Sequence, residues 1–195
     1  MESLVTTDWL AKELGASDLR IVDATKFLPG GERDARADYE AGHIPGAVFM
    51  DLAELVDPTD AIDNMAPKAE KFASRMQSLG LGDGSRIVLY DDSPLKSATR
   101  AWWLLKLFGA HDVALLDGGI AKWKAEGRAV EAGNHNLRHR HFTVWRDAAV
   151  VRTKEQMLAN VASGAEQVAD GRGRAPARRP ARRGAAGRRP RHHRG

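Results

Sequence analysis

Nine residues, Tyr39-Glu40-Ala41-Gly42-His43-Ile44-Pro45-Gly46-Ala47, constrain this chain more than any other stretch. They read as a helix end, a turn and the start of a strand. Gly42 suits the left-handed position just past a helix C-terminus, where a side chain would clash. Pro45 fixes its own φ and pushes Ile44 into an extended conformation. Gly46 lets the chain turn into a short strand of Ala47, Val48 and Phe49. The residues beyond Phe49 have to extend a sheet from that strand.

The flanking sequence meets this demand by alternation. Val5 is a brief extended start, and Thr7 or Asp8 can cap a helix running to Glu13 and Leu14. Residues 19–23 read as a strand and 35–41 as a short helix. Residues 51–65, with Asp57, Pro58, Asp60 and Asp63, read as a long connection of turns. Residues 68–79 form an amphipathic helix with Phe72, Met76 and Leu79 on one face. Residues 86–90, Arg-Ile-Val-Leu-Tyr, are the strongest strand, apolar enough to be buried on both faces. A loop from Asp91 to Lys96 leads to a helix over 97–108. A strand over 113–116, a tight turn at Asp117-Gly118-Gly119 and a helix over 120–126 complete the series. The expected fold class is α/β, a parallel sheet of about five strands with helices on both faces.

This unit is expected to occupy residues 1–128. Residues 129–141 read as a linker. Residues 142–170 read as the incomplete start of a second unit: a strand at Phe142 to Trp145, a helix from Thr153 to Val161 and a strand ending at Asp170. That order echoes the passage from Leu14 to Asp23. Val144, Trp145 and Val168 are expected to be partly exposed for want of a partner.

Charge and composition narrow the function. The net charge is +4, but residues 171–195 hold ten arginines and no acid, which leaves residues 1–170 at −6. That final stretch uses only Gly, Arg, Ala, Pro and His, so it can build no core and reads as a disordered basic tail. No aromatic residue interleaves its arginines, so nucleic-acid binding has little support. All five residue types have GC-rich codons, so the leading expectation is translation out of frame after about residue 170. The chain has no cysteine, which excludes disulfides, thiolate metal sites and thiol nucleophiles within these residues. No apolar run is long enough to span a bilayer and no leader pattern opens the chain, so the expected compartment is the cytoplasm, with no membrane partner.

The motifs carry a resemblance. Tyr39-x-x-Gly42-His43-Ile44-Pro45-Gly46-Ala47 resembles the first signature of rhodanese domains, and Asp117-Gly118-Gly119-Ile120-x-x-Trp123 resembles their closing one. Tyr90-Asp91-Asp92 followed by Ser97-Ala98-Thr99-Arg100-Ala101-Trp102-Trp103 resembles the first, non-catalytic domain of tandem thiosulfate and 3-mercaptopyruvate sulfurtransferases, over about residues 3–170. The resemblance implies sulfur transfer from a small donor through a cysteine persulfide, with no cofactor. The cysteine begins a loop whose N–H groups and following helix stabilise the thiolate, and it lies in the second domain. Here the loop starts with Asp91, which cannot carry a persulfide. The chain as it stands is therefore expected to be inactive; the alternative is a cysteine-less module for protein binding or regulation.

By the same resemblance, Asp34 and His43 lie near the interdomain site as a substrate-facing wall. Against this, His43 can pin the corner by bonding a backbone carbonyl, and Asp34 can pair with Arg33 or Arg36. Both readings stay open. Gly42, His43, Pro45, Gly46, Gly118, Gly119 and Trp123 are the structural motif residues. Arg100 can reach Asp91 or Asp92, contact a neighbouring domain, or be a solvated charge. Trp102, Trp103 and Trp123 read as core. His111, His135, His139 and His141 have no regular ligand spacing with acids, so no metal site is expected.

Overall fold

The computed structural model describes residues 1–135 and 138–168. The tail over 171–195 and the end of the expected strand at 169–170 lie outside the described residues. The chain divides into two compact units, Met1–Val151 and the part from Arg152 onward.

The first unit is a five-stranded, all-parallel sheet in the order β1-β5-β4-β2-β3. In chain order its elements are β1 (Leu4–Val5), α1 (Thr7–Glu13), β2 (Leu19–Asp23), α2 (Ala35–Ala41), β3 (Ala47–Phe49), α3 (Ala69–Ser78), β4 (Arg86–Tyr90), α4 (Ala98–Leu107), β5 (Val113–Leu116) and α5 (Gly119–Ala125). Strand β4 lies between β2 and β5, with Ile21 opposite Val88 and Val88 opposite Ala114. Its continuous apolar run divides by alternation. Ile87 and Leu89 point to a core with Phe72 and Met76 of α3 and Leu104 and Leu105 of α4. Val88 and Tyr90 point to a second core with Leu10 of α1, Tyr39 of α2 and Trp123 of α5. Helices thus cover both faces, as the alternation demanded.

Four local expectations need correction. Thr6, not Thr7 or Asp8, caps α1, its hydroxyl accepting from Trp9 N–H, because Thr7 is already helical and buried. Gly42 is extended, at φ 176°, and a Cβ there would meet its nearest atoms at 3.9 Å, so no left-handed geometry demands it. The left-handed position of the corner is Gly46, at φ +77°. The expected linker is not a free connection either. Glu131 forms a two-bond bridge with His43, N–H to carbonyl in both directions, at 2.9 and 3.0 Å.

The fourth correction moves the boundary. Phe142 to Trp145 is not a strand, and the first compact unit includes it. Phe142 is 4 % exposed and packs edge-on against Phe72, which stacks on Phe108. Asp83 N–H donates to the His141 carbonyl, Asp83's carboxylate accepts from Thr143 N–H and hydroxyl, and Trp145 N–H donates to the Phe108 carbonyl. This segment is a strap over the loop ends of the α3/α4 layer. Val144 is partly buried in that core, while the Trp145 side chain stays 77 % exposed.

The second unit contains α6 (Lys154–Ser163), opened by a capping box between Thr153 and Gln156 and closed by left-handed Gly164. Arg152 forks onto the Glu166 carboxylate. Residues 164–168 form no strand, and Val168 is exposed. Among the described residues no helix is long and apolar enough to cross a membrane.

Candidate functional site

In a parallel sheet with helices on both faces, ligands bind beyond the carboxyl ends of the strands. There β4 and β5 deliver Asp91 and Asp117, and an open cleft of about 610 Å³ is lined by Asp91, Asp92, Ser93, Lys96, Thr99 and Asp117 among others. By the resemblance drawn from the motifs, the loop after β4 corresponds to the one that begins with the cysteine in a catalytic domain.

Its first residue is spent on the fold. One oxygen of the Asp91 carboxylate accepts from Ala98 N–H at 2.8 Å and lies 3.4 Å from the Ser97 hydroxyl. Ser97, the residue before α4, makes no cap bond with its own side chain to the helix. Asp91 therefore caps α4 from seven residues upstream, with its negative charge at the positive end of the helix. Three further loop amides are engaged. Asp92 N–H goes to the Thr25 hydroxyl, Leu95 N–H to the Ser93 hydroxyl and Lys96 N–H to the Ser93 carbonyl. Such a loop offers no thiol, and these three amides are not free to cradle an anion.

The closing signature packs on this loop. Gly118 and Gly119 are both left-handed, and a Cβ on Gly119 would stand 2.5 Å from the Asp91 carbonyl oxygen. Ile120 N–H points at that same oxygen. Trp123 is buried and donates its indole N–H to the Ala129 carbonyl.

Asp34 caps α2, accepting from Arg36 and Ala37 N–H, and does not pair with a neighbouring guanidinium. Arg33 instead reaches Asp38 and Asp92, which ties α2 to the β4 loop. Arg100 reaches neither Asp91 nor Asp92. It donates to the Asn64 carbonyl in the long connection, and burial lowers its pKa.

Asp23, at the end of β2, is a residue that sequence patterns mark only as a strand boundary, so its environment is visible in the structure alone. It is buried and accepts from Thr25 N–H. Burial raises its pKa above the usual carboxylate value, and burial likewise pushes the Tyr90 hydroxyl well up. A carboxyl with a raised folded pKa holds its proton more tightly in the folded state. Stability is then lost as pH rises from the usual carboxylate pKa through the folded one. Asp23→Asn is expected to remove this loss: its stability advantage over the wild type, read from urea midpoints, grows as pH rises from 3 to 7. A flat difference would contradict the assignment.

His43 is completely buried. Its ring stacks on Tyr39 at 4.1 Å and its Nδ1 lies 2.8 Å from the Tyr39 carbonyl oxygen, so it ties the corner to α2 through a backbone carbonyl. On the other side, Nε2 lies 3.7 Å from a Glu131 oxygen, which is itself 2.6 Å from His135 Nε2. The fold thus gathers His43, Glu131 and His135, three residues whose separation in sequence gave no ligand spacing.

A family profile described as "Rhodanese-like domain" matches residues 6–126. The chain belongs to the rhodanese-like family. It is 38 % identical over 176 residues to 3-mercaptopyruvate sulfurtransferase of Mus musculus, covering 87 % of this chain and 59 % of the relative. It is 38 % identical over 158 residues to 3-mercaptopyruvate sulfurtransferase of Escherichia coli K12, covering 80 % and 56 %. The crystal structure of Escherichia coli SseA, a 3-mercaptopyruvate sulfotransferase structure of the "Rhodanese" fold, matches with a TM-score of 0.80 and 34 % identity over 86 % of this chain and 64 % of that one. The chain therefore spans somewhat over half the length of these curated relatives. This rhodanese-like domain has Asp91, and no cysteine, at the start of the loop after β4.

Proposed function

We propose that the first unit is the non-catalytic, N-terminal type of rhodanese domain in a tandem sulfurtransferase acting on thiosulfate or 3-mercaptopyruvate. Residues 152–168 are then the beginning of what such an enzyme places after it. The 195 residues themselves transfer no sulfur. The observation that carries this reading is the Asp91 carboxylate seated on the N-terminus of α4. It occupies the Ala98 N–H at the start of the helix, a donor that a thiolate there would use, and it would repel an anionic sulfur donor. On this reading Asp34 belongs to the wall that a second domain would face, and His43 serves the corner from within.

The purified chain is expected to form no thiocyanate from cyanide with either donor, above a protein-free blank. Asp91→Ala is expected to show the same lack of turnover and to lower stability by about 1–2 kcal/mol, the cost of a lost helix cap. Turnover by the wild-type chain would overturn the proposal; an unchanged unfolding midpoint in Asp91→Ala would overturn the capping role on which it rests.

A further inference from the structure

The cluster around His43 is outside the β4 loop, and the sulfur-transfer chemistry makes no use of it. We propose that His43, Glu131 and His135 form a binding site for a divalent transition metal ion of the zinc class.

The side-chain chemistry comes first. His43 Nδ1 faces the Tyr39 carbonyl oxygen, which can only accept, so Nδ1 carries the hydrogen. In the neutral ring this leaves a lone pair on Nε2. That atom is fully buried and has no hydrogen-bond partner, one of two such side-chain atoms among the described residues. A ring whose distal N–H is held by a backbone carbonyl, with its other nitrogen bare, is the arrangement of a metal-ligating histidine.

The surroundings supply the other ligands. Nε2 points toward the Glu131 carboxylate at 3.7 Å, and the ligand atoms of His43, Glu131 and His135 all lie within 4.8 Å of one another. Ligand atoms around one tetrahedral zinc ion are spaced about 3.3 Å apart, which follows from bond lengths of about 2.0–2.1 Å. A small inward movement would bring the three onto one ion. Two imidazole nitrogens and one carboxylate oxygen suit zinc and its neighbours better than magnesium or calcium. Binding replaces the hydrogen now held between His135 Nε2 and Glu131. With three protein ligands, a fourth position is left to water.

The backbone holds two of the three ligands in place beforehand. The two-bond bridge between residues 43 and 131 fixes their separation, and Gly46 N–H donates to the Glu131 carboxylate. His135 follows Glu131 by four residues on the same segment. The ion would therefore clip the segment after α5 onto the corner, closing a loop of about ninety residues between ligands, which is where a cross-link restricts the unfolded chain most.

The test is a titration of the full chain with ZnCl2 in chelator-free buffer, read by calorimetry and by melting temperature. One Zn2+ per chain is expected to bind, with a rise in melting temperature that EDTA reverses. His135→Ala and Glu131→Gln, both partly exposed side chains, are expected to weaken binding at least about tenfold. The double substitution His192→Ala and His193→Ala is expected to leave it intact, which separates this site from the histidine pair near the C-terminus. Replacing Zn2+ by Co2+ adds the intense visible absorption of a four-coordinate ion, lost in His135→Ala. No binding, or binding unchanged in both His135→Ala and Glu131→Gln, would overturn the proposal. Sulfur-transfer assays are not involved, so the outcome is independent of the proposed function.

Discussion

Phe142→Ala is expected to destabilise the first unit by about 3–5 kcal/mol, the usual cost of removing a buried aromatic side chain. The residue is 4 % exposed, and its ring completes a run of three with Phe72 and Phe108. Truncation leaves a cavity bounded by α3 and α4, which the rigid sheet behind them cannot collapse to fill. Trp145→Ala, three residues on, removes a larger but largely exposed side chain and is expected to cost below about 1 kcal/mol. Urea unfolding followed by circular dichroism reads both. The contrast locates the end of the domain. A chain stopped at residue 128 retains both family signatures yet loses Phe142 and the strap bonds to Asp83 and Phe108. It is expected to expose its α3/α4 core and bind a hydrophobic dye. A loss below about 1 kcal/mol in Phe142→Ala would return the boundary to where the alternation of strands and helices placed it.

Gly119→Ala is the second large effect, about 2–4 kcal/mol. The new Cβ would stand 2.5 Å from the Asp91 carbonyl oxygen, and the residue would be held at φ +58°. The nearest atom is backbone, at the start of the loop whose Asp91 caps α4, so relief requires the loop or the helix to move. The glycines of the corner set the scale. Gly46→Ala keeps open space around the Cβ but sits at φ +77°, so it costs about 1–2 kcal/mol from the left-handed backbone alone. Gly42→Ala meets neither obstacle and is expected to stay within about 0.5 kcal/mol. The ranking Gly119, Gly46, Gly42 from chemical denaturation checks all three. A costly Gly42→Ala would show that the extended conformation at φ 176° is not what that position needs.

These three glycines also show how far the sequence carried. As letters they are equivalent marks of turns within two family signatures. Only the placement of Asp91 against Gly119, and of little against Gly42, separates a close approach from a permissive site. The site residues divide in the same way. Asp91 was recognisable as a loop-start acid without a nucleophile, because one letter settles whether a thiol is present. That it caps α4 across the loop depended on where Ala98 N–H comes to rest. Asp34 stood open between a substrate-facing wall and a partner for Arg33 or Arg36; in the fold it caps α2, since the nearest N–H groups outcompete flexible guanidinium groups for its oxygens.

What the sequence determined by itself is the sheet. Periodicity and apolar runs act over a few residues, and so the strands 19–23, 47–49, 86–90 and 113–116 were legible to the residue. The Tyr39-to-Ala47 corner likewise announced its turn. What only the tertiary structure decided is which distant segments close on that frame. The strap at Phe142 lies far in sequence from Phe72, and Glu131 and His135 lie about ninety residues from His43. No local pattern encodes such meetings. They arise from a parallel sheet whose long crossovers return the chain to the same edges, where a buried ring and a bare imidazole nitrogen find their partners.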